Sequence, residues 1–579
     1  MPTVNIASHL KDMAQHHPDQ LAVMFPASRD GKGQTEYSSF TYKKLDEESD
    51  FLAAGLDAIG IGRGVKTVLM VPPSLEFFSL TFALFKVGAV PVLVDPGIGI
   101  KNLGKCLKEA EPEAFIGITK AHVARLLFGW AKKSLKQLVT VGHRFGWGGH
   151  RLTQVTDIGR LRQSNSARSN EQRKAAETEI DETAAILFTS GSTGVPKGAV
   201  YSHGNFAAQV AALKQAFGIE PGEIDLCTFP LFALFAPALG MTAVIPRMDF
   251  TKPATVDPRE IAEPIARFGI NNLFGSPALL NRVGRALKSK HTKDGKEPSS
   301  STEFTPIWTS LRRVLSAGAP VSPAILERFS KYLSADSQIY TPYGATESLP
   351  VAVIGSHEIL RETRHLTAQG SGTCVGRPVE SVEVRIIGIT DDPIGDWSDQ
   401  LCLPRGQIGE IVVNGPMVTQ QYYKRPDLTS IAKIRDPVTG RMRHRMGDVG
   451  YFDDQGRLWF CGRKSHRVVT AERTYFTEPV EGVFNAHPAV FRTALVGVVR
   501  AGNTDPVLCV EREPQHSPNE GPRLSDQKLI AELRALGNRF ELTRSIQTFL
   551  FHPSFPVDIR HNSKIFREKL AVWATSIIK

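Results

Sequence analysis

The stretch AAILFTSGSTGVPKG, residues 184–198, decides the fold. Its first five residues are an apolar run that predicts a buried strand, and a glycine-rich loop leaves the end of that strand. Three glycines let backbone N–H groups turn inward, and the hydroxyl side chains and Lys197 add further donors. Such a loop can bind a polyphosphate, although an ordinary turn stays the alternative from this stretch alone. It is not a Walker loop, in which a lysine and a hydroxyl residue directly follow the last glycine.

Strand and helix patterns alternate through the first two thirds of the chain. The predicted strands and helices are 42–59 (helix), 66–71 (strand), 75–88 (helix), 90–94 (strand), 114–118 (strand), 272–275 (strand), 277–287 (helix), 313–316 (strand) and 322–333 (helix). Short strands that alternate with amphipathic helices predict parallel sheets covered by helices. The expected fold class is therefore α/β.

The length of 579 residues exceeds one ordinary hydrophobic core, so we expect at least two domains. The sequence texture changes after about Asp448, and the run GRKS that begins at Gly462 predicts a boundary. This places a large domain at 1–463 and a smaller α+β domain at 464–579. Polar residues dominate 163–179 and 288–305, which predicts an exposed connection and a surface loop or insertion.

The formal net charge of +10 is spread along the chain without a long basic block. A nucleic-acid interface would need a basic stripe with interleaved aromatic residues, so no nucleic-acid partner is predicted. The six cysteines form no CxxC pair and have no histidine at zinc spacing. They indicate reduced, mostly buried thiols and a cytoplasmic protein.

One uncharged segment raises the question of a membrane span. Residues 226–246 are long enough to cross a bilayer, but Pro230, Pro237, Gly240 and Pro246 interrupt them repeatedly. A buried core or pocket wall is the better interpretation, and the first residues of the chain contain no apolar signal region. The sequence thus predicts no transmembrane segment and leaves a peripheral contact with lipid open.

Four further segments carry chemistry. The run YTPYGATE at 340–347 offers an aromatic ring, a glycine, a hydroxyl and a carboxylate, which suit a base, phosphates and Mg²⁺. The run RMGD at 445–448 ends in a carboxylate suited to ribose hydroxyls, and Arg463 adds a cation. A polar run at 560–567 presents Lys564. Taken singly, these side chains have plainer explanations as a core aromatic, a turn former and a surface lysine.

In this order and at these intervals, the segments resemble the adenylate-forming superfamily of acyl-CoA synthetases, luciferases and nonribosomal adenylation domains. The resemblance covers nearly the whole chain. It implies a large N-terminal domain of packed α/β subdomains and a small mobile C-terminal lid. It also implies activation of a carboxylate by ATP with Mg²⁺, which releases pyrophosphate and leaves an acyl-adenylate.

The resemblance also implies a role for each matching residue. The cradle for the β- and γ-phosphates comprises Thr189, Ser190, Gly191, Ser192, Thr193, Gly194 and Lys197. The strip beside the adenine comprises Gly318, Ala319 and Pro320, with Tyr343 stacked on the base and Gly344 next to it.

The remaining implied roles concern the reacting groups and the ribose. Thr346 would contact the α-phosphate, and Glu347 would bind Mg²⁺. Asp448 and Arg463 would hold the ribose. Lys564 would reach the carboxylate and the α-phosphate from the lid, where it would stabilise charge in the transition state. The predicted catalytic residues are therefore Lys197, Thr346, Glu347 and Lys564.

Departures from the superfamily pattern concern the second half-reaction. Ser465 stands where family members often carry aspartate or lysine, and 466–481 lacks the glycine of the strand that lines their pantetheine tunnel. Bulkier side chains there make delivery of a thiol doubtful. The acyl-pocket segment carries Phe229, Phe232 and an alanine at 233 where many acyl-CoA synthetases have histidine, and suits a long alkyl substrate. His203 is a candidate for a substrate contact, with a structural role beneath the loop as the alternative.

The phrases FPLFALFAPALGMTAV, TPYGATESLPVA and DIRHNSKIFREKLAVWA resemble the β-lactone synthetases of bacterial long-chain olefin biosynthesis. That resemblance implies adenylation of a long-chain 2-alkyl-3-hydroxy fatty acid, whose own hydroxyl then closes a β-lactone. It also implies a lactone decarboxylase and a 3-ketoacid reductase as pathway partners. The alternatives are a long-chain fatty acyl-CoA ligase or acyl-AMP ligase and, in another class, a non-catalytic nucleotide- or acyl-binding relative or scaffold.

Overall fold

The computed structural model describes residues 4–31, 33–94, 98–167, 175–189, 196–229, 233–289, 307–500, 502–514, 524–557 and 564–578. Its strands are β1 Leu21–Arg29, β2 Thr35–Thr41, β3 Lys66–Met70, β4 Val90–Val94, β5 Ala114–Ile118, β6 Gln137–Val141, β7 His150–Arg151, β8 Thr183–Thr189, β9 Lys197–Ser202, β10 Ile224–Cys227, β11 Thr242–Val244, β12 Asn272–Phe274, β13 Arg313–Leu315, β14 Gln338–Tyr340, β15 Tyr343–Ala345, β16 Ser348–Val353, β17 Thr373–Pro378, β18 Glu383–Ile387, β19 Gly409–Asn414, β20 Lys433–Arg435, β21 Met442–Phe452, β22 Leu458–Arg463, β23 Val468–Val469, β24 Thr474–Tyr475, β25 Val490–Arg500, β26 Asn503–Arg512 and β27 Thr548–Phe551.

The α-helices cover the sheets. They are α1 Ser8–His16, α2 Tyr42–Ala58, α3 Leu75–Lys86, α4 Ile100–Ala110, α5 Thr119–Phe128, α6 Leu152–Ala167, α7 His203–Phe217, α8 Phe235–Leu239, α9 Arg259–Phe268, α10 Pro277–Ser289, α11 Pro323–Ser330, α12 Ser356–Glu358, α13 Arg364–Thr367, α14 Pro426–Ala432, α15 Thr477–Asn485, α16 Asp526–Gly537 and α17 Arg567–Ile578. The predicted α/β class is confirmed.

Two seven-stranded sheets form most of the larger part of the molecule. The first has the order β7-β6-β5-β3-β4-β8-β9 and the second β14-β13-β12-β10-β11-β1-β2. Both are parallel except for the edge pairs β8–β9 and β1–β2. Strands of a parallel sheet are buried on both faces, which explains why these segments are continuous apolar runs. Helix α3 shows the same effect, since Phe77 to Lys86 are all buried.

A third sheet is antiparallel and has the order β15-β16-β17-β22-β21-β19-β18, with β20 paired to β21. Its strand β22 ends at Arg463, and a short 3₁₀ turn at Lys464–His466 follows. Beyond the turn lie the β23–β24 hairpin and the three-stranded sheet β25-β26-β27, packed with α15, α16 and α17. A small α+β domain thus forms the C-terminal part, and the boundary at 463/464 remains our prediction.

Several expectations concern connecting segments. The stretch 163–179 was expected to be an exposed connection, but α6 continues to Ala167 and makes the first residues of that stretch helical. The expected loop at 288–305 begins inside α10, which runs to Ser289, and its remainder lies outside the described residues. All six cysteines are free, and five of them are buried.

The described residues of the uncharged segment 226–246 belong to the buried core. It contains the end of β10, the short helix α8 and strand β11, and Leu226 and Val244 are fully buried. Within the described ranges, no helix combines the length and the apolar character needed to cross a membrane.

Candidate active site

The site forms where the ends of strands from all three sheets meet. Strand β8 leads into the glycine-rich loop, and β9 resumes at Lys197. Strand β13 ends directly before the Gly318 strip, and β14 ends at Tyr340, directly before the YGATE motif. Of the predicted phosphate cradle, Ser190, Gly191, Ser192, Thr193 and Gly194 lie outside the described residues, and Thr189 is described only in its backbone.

The described part of the adenine strip is open to ligand. Gly318 and Pro320 are exposed and Ala319 is half-buried, although Leu315 and Ser316 before them pair with β14. Gly318 has a φ of +97°, a left-handed conformation that favours glycine. At Gly344, an added Cβ would lie 2.7 Å from the Ser348 carbonyl oxygen, so only glycine fits.

Tyr343, Asp448 and Arg463 form one cluster. The Tyr343 hydroxyl donates to Asp448 Oδ2 at 2.7 Å, and Arg463 Nη1 lies 3.0 Å from Asp448 Oδ1. Asp448 and Arg463 are direct partners in the β21–β22 ladder, which fixes their spacing. Burial raises the pKa of the Asp448 carboxyl, while Arg463 and the Tyr343 hydrogen bond oppose that rise. The buried Oδ1 atom accepts no hydrogen bond of good geometry, so it keeps capacity for a ribose hydroxyl.

Lys564 approaches this cluster from the small domain. Its charge acts on the carboxyl of Asp448 and on His466, whose pKa is lowered to about 3 by burial and by nearby cations. The segment 560–563 before it lies outside the described residues. The two domains therefore meet with the predicted catalytic lysine on the side of the nucleotide residues.

Glu347 is the second centre of the site. The Tyr422 hydroxyl donates to Glu347 Oε1 at 2.5 Å, and the ring of Tyr422 lies 5.1 Å beneath Lys197 Nζ. Burial disfavours the charged form of Glu347, but the Tyr422 hydrogen bond and the cation of Lys433 help hold the carboxyl pKa below its usual value. One tyrosine thus connects the loop lysine to the carboxylate.

Lys433 is fully buried behind Glu347. Its Nζ donates to the carbonyl and the hydroxyl of Thr419, while the Thr419 N–H donates to the Glu347 carbonyl at 3.0 Å. Burial lowers the Lys433 pKa to about 7. The Thr346 carbonyl accepts a hydrogen bond from the Tyr201 hydroxyl, which fixes the backbone of the motif.

The chemistry of these site residues fits a bound nucleotide with Mg²⁺. Among the described residues no group of three metal-ligating side chains exists, so Glu347 would share a cation with phosphate oxygens rather than enclose it. The buried acceptor on Asp448, the tight glycine at 344 and the cations Lys197, Arg463 and Lys564 all suit a bound nucleoside polyphosphate.

An apolar cavity of about 40 Å³ lies beside the motif, next to Pro342 and Leu349. Its lining includes Leu213, Phe217, Phe235, Phe274 and the buried Asp225. Phe229 packs on Phe274 with ring centroids 6.1 Å apart, whereas the predicted pocket residue Phe232 lies outside the described residues. The apolar lining suits an alkyl group.

His203 lies at the start of α7 and is fully buried. Its Nδ1 accepts the Ile6 N–H at 3.3 Å, its ring packs edge-on against Phe85, and burial lowers its pKa to about 4. These contacts fit the structural alternative for His203, and the substrate contact stays a prediction.

The hinge region is anchored to the large domain. Lys464 Nζ donates to the Thr390 carbonyl at 2.7 Å and pairs with Glu410, and Arg467 pairs with Asp391. Ser465 lies in the 3₁₀ turn, and the glycine-free stretch that follows forms the β23–β24 hairpin.

Comparisons with known proteins show the family of this chain. Residues 10–423 match the model of the family described as "AMP-binding enzyme". The chain belongs to the AMP-binding enzyme family. It is 52% identical to an olefin beta-lactone synthetase of Stenotrophomonas maltophilia, over 99% of this chain and 98% of that protein. It is 50% identical to an olefin beta-lactone synthetase of Xanthomonas campestris pv. campestris, over 98% of this chain and 97% of that protein. Among solved structures, ATP-bound MatB from Rhodopseudomonas palustris matches with a TM-score of 0.72 at 20% identity, over the full length of both chains, which shows a shared fold.

Proposed function

We propose that this member of the AMP-binding family is an ATP-dependent β-lactone synthetase acting on a long-chain 2-alkyl-3-hydroxy fatty acid. One observation carries the proposal: identity of about half of all residues, over almost the full length, with proteins named olefin beta-lactone synthetase. The clustering of Lys197, Tyr343, Glu347 and Asp448 with Lys564 supports it, because an adenylating enzyme needs these charges in one place.

In the first step, a carboxylate oxygen of the acid attacks the α-phosphorus of ATP, the bond to the β-phosphate oxygen breaks, and pyrophosphate leaves. Lys564 and Lys197 would neutralise the developing charge, and Thr346 would orient the α-phosphate. Asp448 and Arg463 would hold the ribose. Mg²⁺, when bound with Glu347, would neutralise phosphate charge.

In the second step, the substrate's 3-hydroxyl oxygen attacks the carbonyl carbon of the acyl-adenylate. The carbonyl carbon–phosphate oxygen bond breaks, AMP leaves, and the hydroxyl proton is released. Because the nucleophile is part of the substrate, no second ligand has to be bound and oriented. The β-lactone would pass to a decarboxylating lactone hydrolase, with a 3-ketoacid reductase acting upstream, and we place the pathway in the cytoplasm.

The test uses ATP, Mg²⁺ and a synthetic 2-alkyl-3-hydroxy fatty acid, with and without CoA, and NMR of the products. We expect a β-lactone and AMP without CoA. A thioester that forms only when CoA is present would return the enzyme to the long-chain acyl-CoA ligases, which would use the same nucleotide residues.

A variant pair tests the role of Lys564. Lys564→Ala should lower ATP–pyrophosphate exchange by about 10²–10³-fold, the usual cost of removing one charge stabiliser from an active site. Lys528→Ala, which changes an exposed lysine of α16 in the same domain, should leave the exchange unchanged. Equal exchange in the wild type and Lys564→Ala would remove Lys564 from the mechanism, whereas no exchange in the wild type would favour a non-catalytic nucleotide-binding relative.

A further inference from the structure

The outer surface of α5 is apolar where a helix of a soluble domain is usually polar. The exposed fractions are 41% for Val123, 54% for Leu126, 75% for Leu127 and 51% for Phe128, with Phe145 of the β6–β7 loop at 58%. These five side chains are a third of the exposed large apolar residues found in the described parts of the chain. We call them the α5 patch. Four of the five lie on one helix, and exposed apolar residues grouped in this way indicate an interaction site.

The fold does not need the α5 patch for its core. The opposite face of the helix already packs on the first sheet, where His122 and Arg125 are buried and His122 Nε2 bonds to the Val139 carbonyl oxygen at 3.0 Å. At the end of the helix, Phe128 stacks on the buried Trp130 with ring centroids 5.6 Å apart. The Thr119 hydroxyl ties the neighbouring loop to the helix by donating to the His143 carbonyl.

The sequence segment that carries the patch is basic, although Arg125 is buried and Lys136 pairs with Glu113 at 2.8 Å. No aspartate or glutamate occurs between Glu113 and Asp157, whereas this interval contains seven lysines and arginines: Lys120, Arg125, Lys132, Lys133, Lys136, Arg144 and Arg151. Lys120 lies one turn from Val123 on the exposed side of α5, and Lys132 and Lys133 are exposed just after the helix. Exposed apolar side chains beside the exposed lysines Lys120, Lys132 and Lys133 suit a membrane surface, where anionic headgroups cover apolar acyl chains.

The same charges argue against a second copy of this chain. A two-fold dimer through the α5 patch would bring the patch against itself and place both basic segments in contact. An anionic surface instead neutralises every lysine at once. We propose that the α5 patch docks the enzyme on the surface of a membrane that contains anionic phospholipid, with Leu126, Leu127 and Phe128 inserted among the headgroups.

None of the patch residues belongs to the predicted nucleotide site, so docking and catalysis can be separated by mutation. An enzyme held at a bilayer would reach long-chain acids where they partition. The inference nevertheless stands on the α5 patch and its charges alone, and does not require a particular substrate.

The experiment is co-sedimentation of the full chain with vesicles of phosphatidylcholine alone or of equal parts phosphatidylcholine and phosphatidylglycerol. We expect binding to the anionic vesicles to be at least about tenfold stronger and to fall as salt is raised. Leu127→Glu should reduce it by about tenfold or more. Val438→Glu, at a valine that is 92% exposed elsewhere on the surface, is the matched control and should bind as the wild type does.

A charge-reversal variant, Lys132→Glu with Lys133→Glu, should lose anionic selectivity while keeping its thermal unfolding temperature and ATP–pyrophosphate exchange. Equal binding of wild type to both vesicle types, or unaltered binding of Leu127→Glu, would overturn the proposal. A dimer in sedimentation velocity that Leu127→Glu dissociates would overturn it in favour of self-association.

Discussion

At the scale of single residues, Tyr422 makes contacts in the site that none of the sequence motifs predicts. Its hydroxyl donates to Glu347 and its ring lies beneath Lys197, so it couples two predicted catalytic residues. Tyr422→Phe keeps the ring and removes only the hydrogen bond. We expect a lower kcat and a several-fold higher Mg²⁺ concentration for half-maximal activity, because the Glu347 carboxylate loses the donor that orients it.

The neighbouring tyrosine provides the control. The Tyr423 hydroxyl accepts a hydrogen bond from Lys66 Nζ at 3.0 Å instead of contacting Glu347. Tyr423→Phe should therefore leave the Mg²⁺ titration of pyrophosphate exchange unchanged. If the two variants behaved alike, Tyr422 would have only a packing role.

Asp225 predicts a pH dependence of stability. Burial raises its pKa from 3.8 to about 6, although the Cys227 thiol donates to it. Between about pH 4 and pH 6 the folded state therefore holds a proton that the unfolded state has lost. Stability falls as pH rises through this window, and the penalty is complete above pH 6.

The variant Asp225→Asn removes the titration. It should raise the free energy of unfolding by roughly 2–3 kcal/mol at pH 8 and hardly change it near pH 4, since one pKa unit corresponds to about 1.4 kcal/mol. Urea unfolding at the two pH values measures this difference. An equal effect at both would show that Asp225 ionises normally in the folded protein.

At the scale of elements, α15 and α17 are joined through a buried ion pair. Arg567 Nη2, at the start of α17, lies 2.6 Å from Glu481 Oε2 of α15, and Glu481 Oε1 accepts the Leu495 N–H. Burial raises the Glu481 pKa to about 7. The pair holds α17, the helix that follows Lys564, against α15 within the small domain.

Removing one partner of this ion pair should lower the free energy of unfolding far more than replacing both partners. Arg567→Met leaves a buried carboxylate and should destabilise the small domain by about 3–5 kcal/mol, while the double variant Glu481→Gln with Arg567→Met should recover most of that loss. Thermal unfolding of the two single variants and the double variant forms the cycle. Additive losses would mean that the two side chains do not interact.

The parallel strands named from the sequence were predicted within a residue or two, whereas β6, β10, β11 and β14 of the same sheets were missed. The apolar run 114–118 coincides with β5 and 90–94 with β4, since strands buried on both faces need continuous apolar sequence. The antiparallel sheet was not predicted, because it pairs distant segments such as β17 and β22, and its register leaves no local pattern. Helix α6, which packs against α2, extends into a polar stretch that the sequence assigned to a connection.

The same contrast applies to the candidate site: residues in local motifs were predictable, and residues brought in from distant segments were not. Tyr343, Asp448 and Lys564 could be named because they occur in recognisable motifs, and the structure brings them together. Tyr422 and Lys433 could not be found this way, since each reaches Glu347 from more than seventy positions further along the chain. Only the folded backbone brings such residues into contact.

At the scale of the whole molecule, the orientation of the small domain predicts which steps need movement. Arg285 of α10 and Glu513, which follows β26, form an ion pair between the two parts of the chain while Lys564 faces Asp448. In the proposed reaction both steps occur around the same acyl-adenylate, and the nucleophile is already present. Lactone closure should therefore not require the small domain to rotate.

The test is to hold the domains together. Arg285→Cys with Glu513→Cys can be joined by a cleavable bismaleimide, and the native thiols compete little because only Cys402 is even partly exposed. We expect the cross-linked enzyme to form β-lactone in a single turnover, and cleavage of the linker to restore any loss in multiple turnover. Each single-cysteine variant, treated alike, is the control. Accumulation of acyl-adenylate without lactone in the cross-linked enzyme would instead show that closure depends on domain rotation, as delivery of a separate thiol would.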